Sequence, residues 1–264
     1  MAGLLLVNSR AGDAGPSSDE LASAARSRGV AARVLREGED AAAVARKAEA
    51  NVLGVAGGDG SLARVAQVAL ERNLPFVCIP YGTRNHFARD LGLDRQDPVA
   101  ALDAFAGRES RIDVGWAGDR LFLNNVSLGL YAELVRRREH HRRRREALAR
   151  IRGSLLTLIG RRRLEITIDG EAVDSPIVLV ANNAYGFRPP VTIGARDRLD
   201  EGMLYLYVVI AARADERAAR RFVVDAAGKR IDAAVDGEPS VLATPIEFRI
   251  APRALRVLVP ERVA

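Results

Sequence analysis

The run Val52-Leu53-Gly54-Val55-Ala56-Gly57-Gly58-Asp59-Gly60-Ser61 is apolar until it breaks into a glycine turn around one carboxylate. Apolar positions at helical spacing follow at once: Leu62, Val65, Ala66, Ala69 and Leu70. A buried strand thus feeds a glycine turn and then a helix. Successive backbone N–H groups at a helix start form a ready anion site, and glycines let a phosphate come close because no Cβ intervenes. A bare phosphate would be repelled by Asp59. That residue therefore holds Mg2+, directly or through water, or orients a donor, unless it only caps a tight strand–helix turn.

The flanking chain supplies a setting. Leu4–Val7, Ala32–Leu35, Val52–Ala56 and Phe76–Ile79 read as strands. They alternate with helices over Ser17–Ser27, which Gly29 ends, over Asp40–Ala50, with Asp40 as N-cap, and from Ser61 onward. This alternation implies parallel βα units, and ligands of such sheets sit beyond the carboxyl ends of the strands. A second turn, Ile79-Pro80-Tyr81-Gly82-Thr83-Arg84-Asn85-His86, leaves the fourth strand at that same end and opens a short helix. Thr83 and Asn85 offer neutral hydrogen bonds there, and Arg84 adds a cation.

After about Gly115 the pattern changes. Leu121–Leu128, Arg163–Ile168, Ile177–Val180, Met203–Ile210 and Ile231–Val235 read as strands, mostly separated by turns. Two helical insertions are expected, Tyr131–Arg150 and Asp215–Ala227, and Leu255–Val259 is expected to return to the first domain. The fold expected is a Rossmann-like three-layer α/β domain over residues 1–115, joined by 253–264, and a mainly antiparallel β-sandwich over 116–252. At 264 residues with 48% hydrophobic side chains, both cores can be filled.

Composition excludes several classes. The single cysteine, Cys78, rules out an internal disulfide and a cysteine-cluster zinc site. It lies in an apolar run, as a buried inert thiol would. The opening Met-Ala-Gly-Leu-Leu-Leu-Val-Asn reads as a first strand, not a signal peptide, and no apolar run reaches membrane-spanning length. A cytoplasmic location is the default expectation. Net charge is +6, and arginine supplies 38 of the 40 basic side chains. Arg136–Arg145 alone holds seven arginines, and the apolar stretch Gly153–Gly160 follows closely. A basic helix beside a short apolar segment suits docking on an anionic membrane; the competing reading is a solvated helix followed by a core helix. No aromatic residues accompany the arginines as stacking platforms, so nucleic acid is not the expected partner.

The two turns together resemble the catalytic domain of the diacylglycerol kinase family, relatives of the sphingosine and ceramide kinases. Asn8-Ser9-Arg10-Ala11-Gly12 is similar to the family's opening Asn-Pro-x-x-Gly, with Ser9 in place of proline. Asn124-Asn125-Val126-Ser127-Leu128-Gly129 resembles the start of its second domain. Asp200-Glu201-Gly202-Met203-Leu204 looks like its Asp-Asp-Gly-x-Leu element, and Val235-Asp236-Gly237-Glu238 its closing Asp-Gly-Glu. The resemblance implies a Rossmann-like domain followed by a β-sandwich, with the active site in the cleft between them. It implies transfer of the ATP γ-phosphoryl group to a hydroxyl of diacylglycerol or a related lipid, and an enzyme at the inner face of the membrane.

By the same resemblance Asn8, Gly57, Gly58, Asp59, Gly60, Ser61, Gly82, Thr83 and Asn85 line the nucleotide site. Glu238 is the general base, acting with Asp59. Asp59 and Asp113 belong to an Mg2+-linked carboxylate network. A second Asp-Gly-Glu at Asp169-Gly170-Glu171 is set aside only by the order of the family's elements. Two positions depart from the pattern. His86 stands where the family has an aspartate of the acidic network, and Asp90, one helical turn later, is placed to compensate. Glu201 stands where the family has a metal-binding aspartate, so a structural Mg2+ there would have a longer ligand. A NAD kinase relative shares the first turn, but the Pro80–Leu93 element and the terminal Asp-Gly-Glu favour the lipid branch. The phosphofructokinase plan does not continue past the first turn. A nucleotide- or lipid-binding protein that has lost catalysis is the alternative His86 supports best. Nothing in the sequence decides between a monomer and a homodimer.

Overall fold

The computed structural model describes residues 3–8, 15–82, 85–129, 164–188, 192–210 and 213–261. The Arg136–Arg145 run and the expected Tyr131–Arg150 insertion lie outside them. The chain divides into two compact units. The first holds Met1–Val114, Ala195–Glu201 and Pro252–Ala264; the second holds Gly115–Gly194 and Gly202–Ala251.

The first unit is built on β1 (Gly3–Asn8), α1 (Ser18–Ser27), β2 (Ala31–Leu35), α2 (Ala41–Lys47), β3 (Val52–Gly57), α3 (Asp59–Glu71), β4 (Phe76–Pro80) and α4 (His86–Asp90). Its parallel sheet runs β2-β1-β3-β4. Strands β1, β3 and β4 are almost entirely buried, as expected when helices cover both faces. Leu5, Val7, Val77 and Ile79 pack with Leu21, Ala22 and Ala25 of α1 and with Leu102 and Phe105 of a 3-10 turn, Ala100–Ala106. Helices α2 and α3 pack against each other, with α3 on β3. Gly54 is required here, because a Cβ on it would lie 2.4 Å from the Phe105 ring.

Caps set the helix boundaries. Ser17 and Glu20 close a reciprocal capping box on α1. The Asp40 side chain accepts the Ala42 N–H at 2.9 Å, but α2 stops at Lys47, short of the expected Ala50. Helix α3 begins at Asp59, two residues before the expected Ser61, with Gly58 as N-cap.

Strands β5 (Arg108–Ala117) and β18 (Ile246–Val259) contribute residues to both units. In the first unit, Val257 and Leu258 pair parallel to Phe76 and Val77. The second unit adds β6 (Arg120–Phe122), β7 (Asn125–Gly129), β8 (Leu164–Ile168), β9 (Glu171–Ser175), β10 (Ile177–Asn182), β11 (Phe187–Arg188) and β12 (Thr192–Ile193). It is completed by β13 (Leu204–Ile210), β14 (Arg213–Ala219), β15 (Arg221–Ala226), β16 (Arg230–Val235) and β17 (Glu238–Ala243). One antiparallel sheet runs β14-β13-β10-β7-β16-β17, and β15 joins β8 to the start of β18. Val126, Val180, Leu206 and Val235 of the first layer share a core with Ile168, Phe222, Val224 and Phe248 of the second. That is a β-sandwich.

Two expectations are corrected. Asp215–Ala227 is not a helix: its alanines and charges have helical propensity, but β14 pairs with β13 along its whole length, from Leu204↔Ala219 to Ile210↔Arg213. Pairing overrides propensity, and the alternation of buried Phe222 and Val224 in β15 marks a strand. The expected strand Leu121–Leu128 is interrupted at Leu123-Asn124, where β6 ends and β7 begins.

Candidate active site

Strand β3 ends at Gly57, and the backbone turns directly into α3. The first intrahelical bond is from the Leu62 N–H to the Gly58 carbonyl, so the N–H groups of Asp59, Gly60 and Ser61 open the helix without intrahelical acceptors. Asn8, at the end of β1, donates from Nδ2 to the Ser61 hydroxyl at 3.1 Å. A Cβ on Gly57 would lie 3.1 Å from that of Ser61 and 3.6 Å from that of Asn8. Asn8, Gly57 and Ser61 therefore share one spot at the carboxyl end of the sheet.

The second turn touches the first. A Cβ on Gly82 would lie 2.6 Å from Gly58 Cα. Asn85 is buried in the left-handed region at φ 47 and closes its own turn. Its Oδ1 accepts the Gly82 N–H at 2.8 Å, and its Nδ2 donates to the Gly82 carbonyl at 2.7 Å. Thr83 lies outside the described residues. Asp59 joins the two turns: its Oδ2 accepts the His86 N–H and its Oδ1 the Phe87 N–H, each at 3.3 Å. It therefore caps α4, not its own helix. Its negative charge also adds to burial in pushing the Cys78 thiol well above its ordinary pKa, which leaves that thiol inert.

The other acidic positions have separate settings. Asp113 is fully buried in the first unit, and its Oδ1 accepts the Arg253 N–H at 2.7 Å. Asp90 is paired with two arginines. Arg89 approaches its Oδ1 at 2.8 Å and Arg196 its Oδ2 at 2.8 Å, with the Asp90 and Arg196 side chains fully buried. That pairing occupies the carboxylate expected to stand in for the residue replaced by His86. Asp200 takes Arg198 at 3.0 Å and Arg253 at 2.9 Å. Burial pushes its pKa up, but the hydrogen bonds from both arginines outweigh that and hold it below the ordinary aspartate value. Glu201 is half-buried on the same segment.

Among the described residues no group of three or more His, Cys, Asp or Glu side chains is assembled to hold a metal. The donor set fits an ion that arrives with a nucleotide. Each Asp59 oxygen accepts one long N–H bond and keeps a lone pair, and Mg2+ is commonly bound by one or two carboxylates plus substrate phosphates.

In the second unit, Asp236 and Gly237 have φ of 49 and 81 and form a two-residue hairpin turn between β16 and β17. The buried Asp236 carboxylate accepts the N–H groups of Leu123, Asn124 and Asn125 at 2.8, 2.7 and 3.1 Å. It thus pays for the break between β6 and β7. Asn182 continues the network, donating to the Leu123 carbonyl at 3.0 Å. Glu238 begins β17 half-exposed, with its Oε2 3.6 Å from Arg120 Nη2. The competing Asp169-Gly170-Glu171 makes the same positive-φ turn, but Glu171 is more exposed and pairs with Arg217 at 2.7 Å.

The sequence reading missed the pinning role of Asp236, the Arg196–Asp90 pair and the Arg120–Glu238 pair. An available signal was Asn182-Asn183 closing an apolar run, since buried amides need partners.

Residues 2–117 match the family model of the diacylglycerol kinase catalytic domain. Over 113 residues the chain is 35% identical to the "Probable lipid kinase YegS-like" protein of Chromohalobacter salexigens, a stretch covering 40% of this chain and 36% of that one. Over 90 residues it is 34% identical to the diacylglycerol kinase of Bacillus subtilis strain 168, covering 33% and 30% of the two chains. The matched stretch spans about a third of these curated relatives' own length. The crystal structure of a diacylglycerol kinase from Bacillus anthracis strain Sterne matches the fold with a TM-score of 0.70 at 18% identity, covering 100% of this chain and 98% of that one. The two-domain architecture expected from the sequence is thereby shown.

Proposed function

Proceeding from a chain whose residues 2–117 match the diacylglycerol kinase catalytic domain, we propose that the protein is an ATP- and Mg2+-dependent lipid kinase. The observation that carries this reading is the joining of the two glycine turns through Asp59 at the carboxyl ends of adjacent strands. Backbone N–H groups at the start of α3 suit phosphate oxygens. Asp59 would hold Mg2+, which screens phosphate charge when bound, with Asp113 assigned to the same network by the family pattern alone.

The reaction proposed forms a bond between the lipid hydroxyl oxygen and the γ-phosphorus. The bond from that phosphorus to the β–γ bridging oxygen breaks, and ADP leaves. The hydroxyl proton passes to the Glu238 carboxylate, which is a suitable acceptor at neutral pH. Diacylglycerol or a related lipid alcohol is the acceptor proposed, met at an anionic membrane surface through Arg136–Arg145. No helix among the described residues is long and apolar enough to cross a membrane.

The test is to incubate the protein with γ-labelled ATP, Mg2+ and vesicles containing diacylglycerol, monoacylglycerol, sphingosine or ceramide, with NAD in a parallel reaction. Label in a lipid, lost in Asp59→Ala and Glu238→Ala with folding intact, is the expected result. Label in NAD alone, or ATP binding with no labelled product, overturns it.

A further inference from the structure

The Glu238 side chain is 45% exposed, and a glutamate that open has several rotamers to choose from. Strand β17 places Glu238 and Ser240 two residues apart, on one face. Arg120, from β6, addresses both. Its Nη1 donates to the Ser240 hydroxyl, and its Nη2 stands 3.6 Å from Glu238 Oε2. Ser240 in turn donates from its hydroxyl to the Glu238 carbonyl oxygen at 3.4 Å. The root of the arginine is fixed by the β5–β6 hairpin, where Trp116 pairs with Leu121 and Ala117 with Arg120. The Gly118 N–H ties that turn to the Glu247 carbonyl at 2.8 Å.

We infer that Arg120 is a positioning residue for phosphoryl transfer: clamped on Ser240, its guanidinium confines the Glu238 carboxylate to one direction. The inference rests on the reading of Glu238 as the proton acceptor. At 3.6 Å the contact is Coulombic and not a hydrogen bond, so it steers the carboxylate without occupying its lone pairs. The planar fork of an arginine can reach two acceptors at once, and the point charge of a lysine cannot. A half-exposed ion pair adds little to stability, which separates a kinetic role from a structural one.

The experiment is a double-mutant cycle on the intact chain, with the labelled-ATP and lipid-vesicle assay as readout. Arg120→Gln is expected to lower kcat about tenfold, part of the roughly hundredfold or more that a general base supplies. KM for ATP and the thermal midpoint should stay close to wild type. Arg120→Lys should recover part of the loss, and Ser240→Ala should reproduce part of it while leaving both charges in place. In the Glu238→Gln background, Arg120→Gln should cost nothing further. An unchanged kcat in Arg120→Gln overturns the inference, as does an equal loss in both backgrounds. Wild-type kcat in Glu238→Gln overturns the reading of the base itself. Should Arg120→Gln not fold, Ser240→Ala and Arg120→Lys carry the same comparison.

Discussion

The Asp59 carboxylate accepts the backbone N–H of His86 at 3.3 Å, so the residue that opens α3 also caps the helix of the neighbouring turn. One side chain thereby sets the separation of two loops. Asp59→Asn keeps one acceptor oxygen but turns an NH2 group toward the second N–H. A stability loss of about 1 kcal/mol is expected, together with a fall in turnover of about 100-fold or more as the charge is lost. Urea unfolding and the labelled-ATP assay on one preparation separate the two effects.

Gly82→Ala should drive the turns apart, because its Cβ would lie 2.6 Å from Gly58 Cα and 3.0 Å from Gly58 N. Neither neighbour is a flexible side-chain end. The expected result is a KM for ATP raised about tenfold or more, with far-UV circular dichroism unchanged. Nucleotide titration calorimetry checks it.

Asp236→Ala would leave the buried N–H groups of Leu123 and Asn124, and the half-buried one of Asn125, without this acceptor. The expected cost is about 3 kcal/mol or more, read from the urea midpoint. A wild-type midpoint would mean that water or a neighbour replaces the carboxylate.

Asp90→Ala strips the buried Arg196 of its carboxylate partner, whose oxygen lies 2.8 Å away. Breaking a buried pair costs about 3–5 kcal/mol. The double substitution Asp90→Ala with Arg196→Met should recover most of that, because no charge then remains buried at Arg196. Thermal midpoints of the two variants test the ordering.

Stability should fall on the acid side. Hydrogen bonds from the Ser17 backbone and hydroxyl hold Glu20 below its ordinary 4.5, and the Arg256 hydrogen bond does the same for Glu109. Asp200 likewise lies below 3.8, its two arginines outweighing burial. Folded pKa values below the unfolded ones mean that the unfolded chain binds more protons as pH drops. Their contribution is therefore present above the unfolded values and lost as pH falls through the folded ones. Urea midpoints should be level above about pH 5 and decline below about pH 4. Glu20→Gln with Glu109→Gln should make that decline shallower.

Much of the first unit was legible because its signals are local. The apolar runs Leu4–Val7 and Val52–Ala56, the Asp40 cap and the glycines after β3 each act within a few residues. The β-rich unit was legible only where alternation was clean. Arg213–Ala219 gave no local sign of its pairing with β13, because its alanines and charges suit either state and a strand partner decided. The site divides in the same way. The glycine turns announced themselves, but the link from Asp59 to His86 crosses 27 residues and that from Arg120 to Ser240 crosses 120. Such links depend on the completed topology.

The first unit is discontinuous, and biosynthesis inherits that discontinuity. When a ribosome has released residues 1–114, the outer edge of β4 still lacks Val257 and Leu258, and Asp90 still waits for Arg196. The first unit therefore completes its sheet and its buried ion pair only after Arg196, Val257 and Leu258 have emerged.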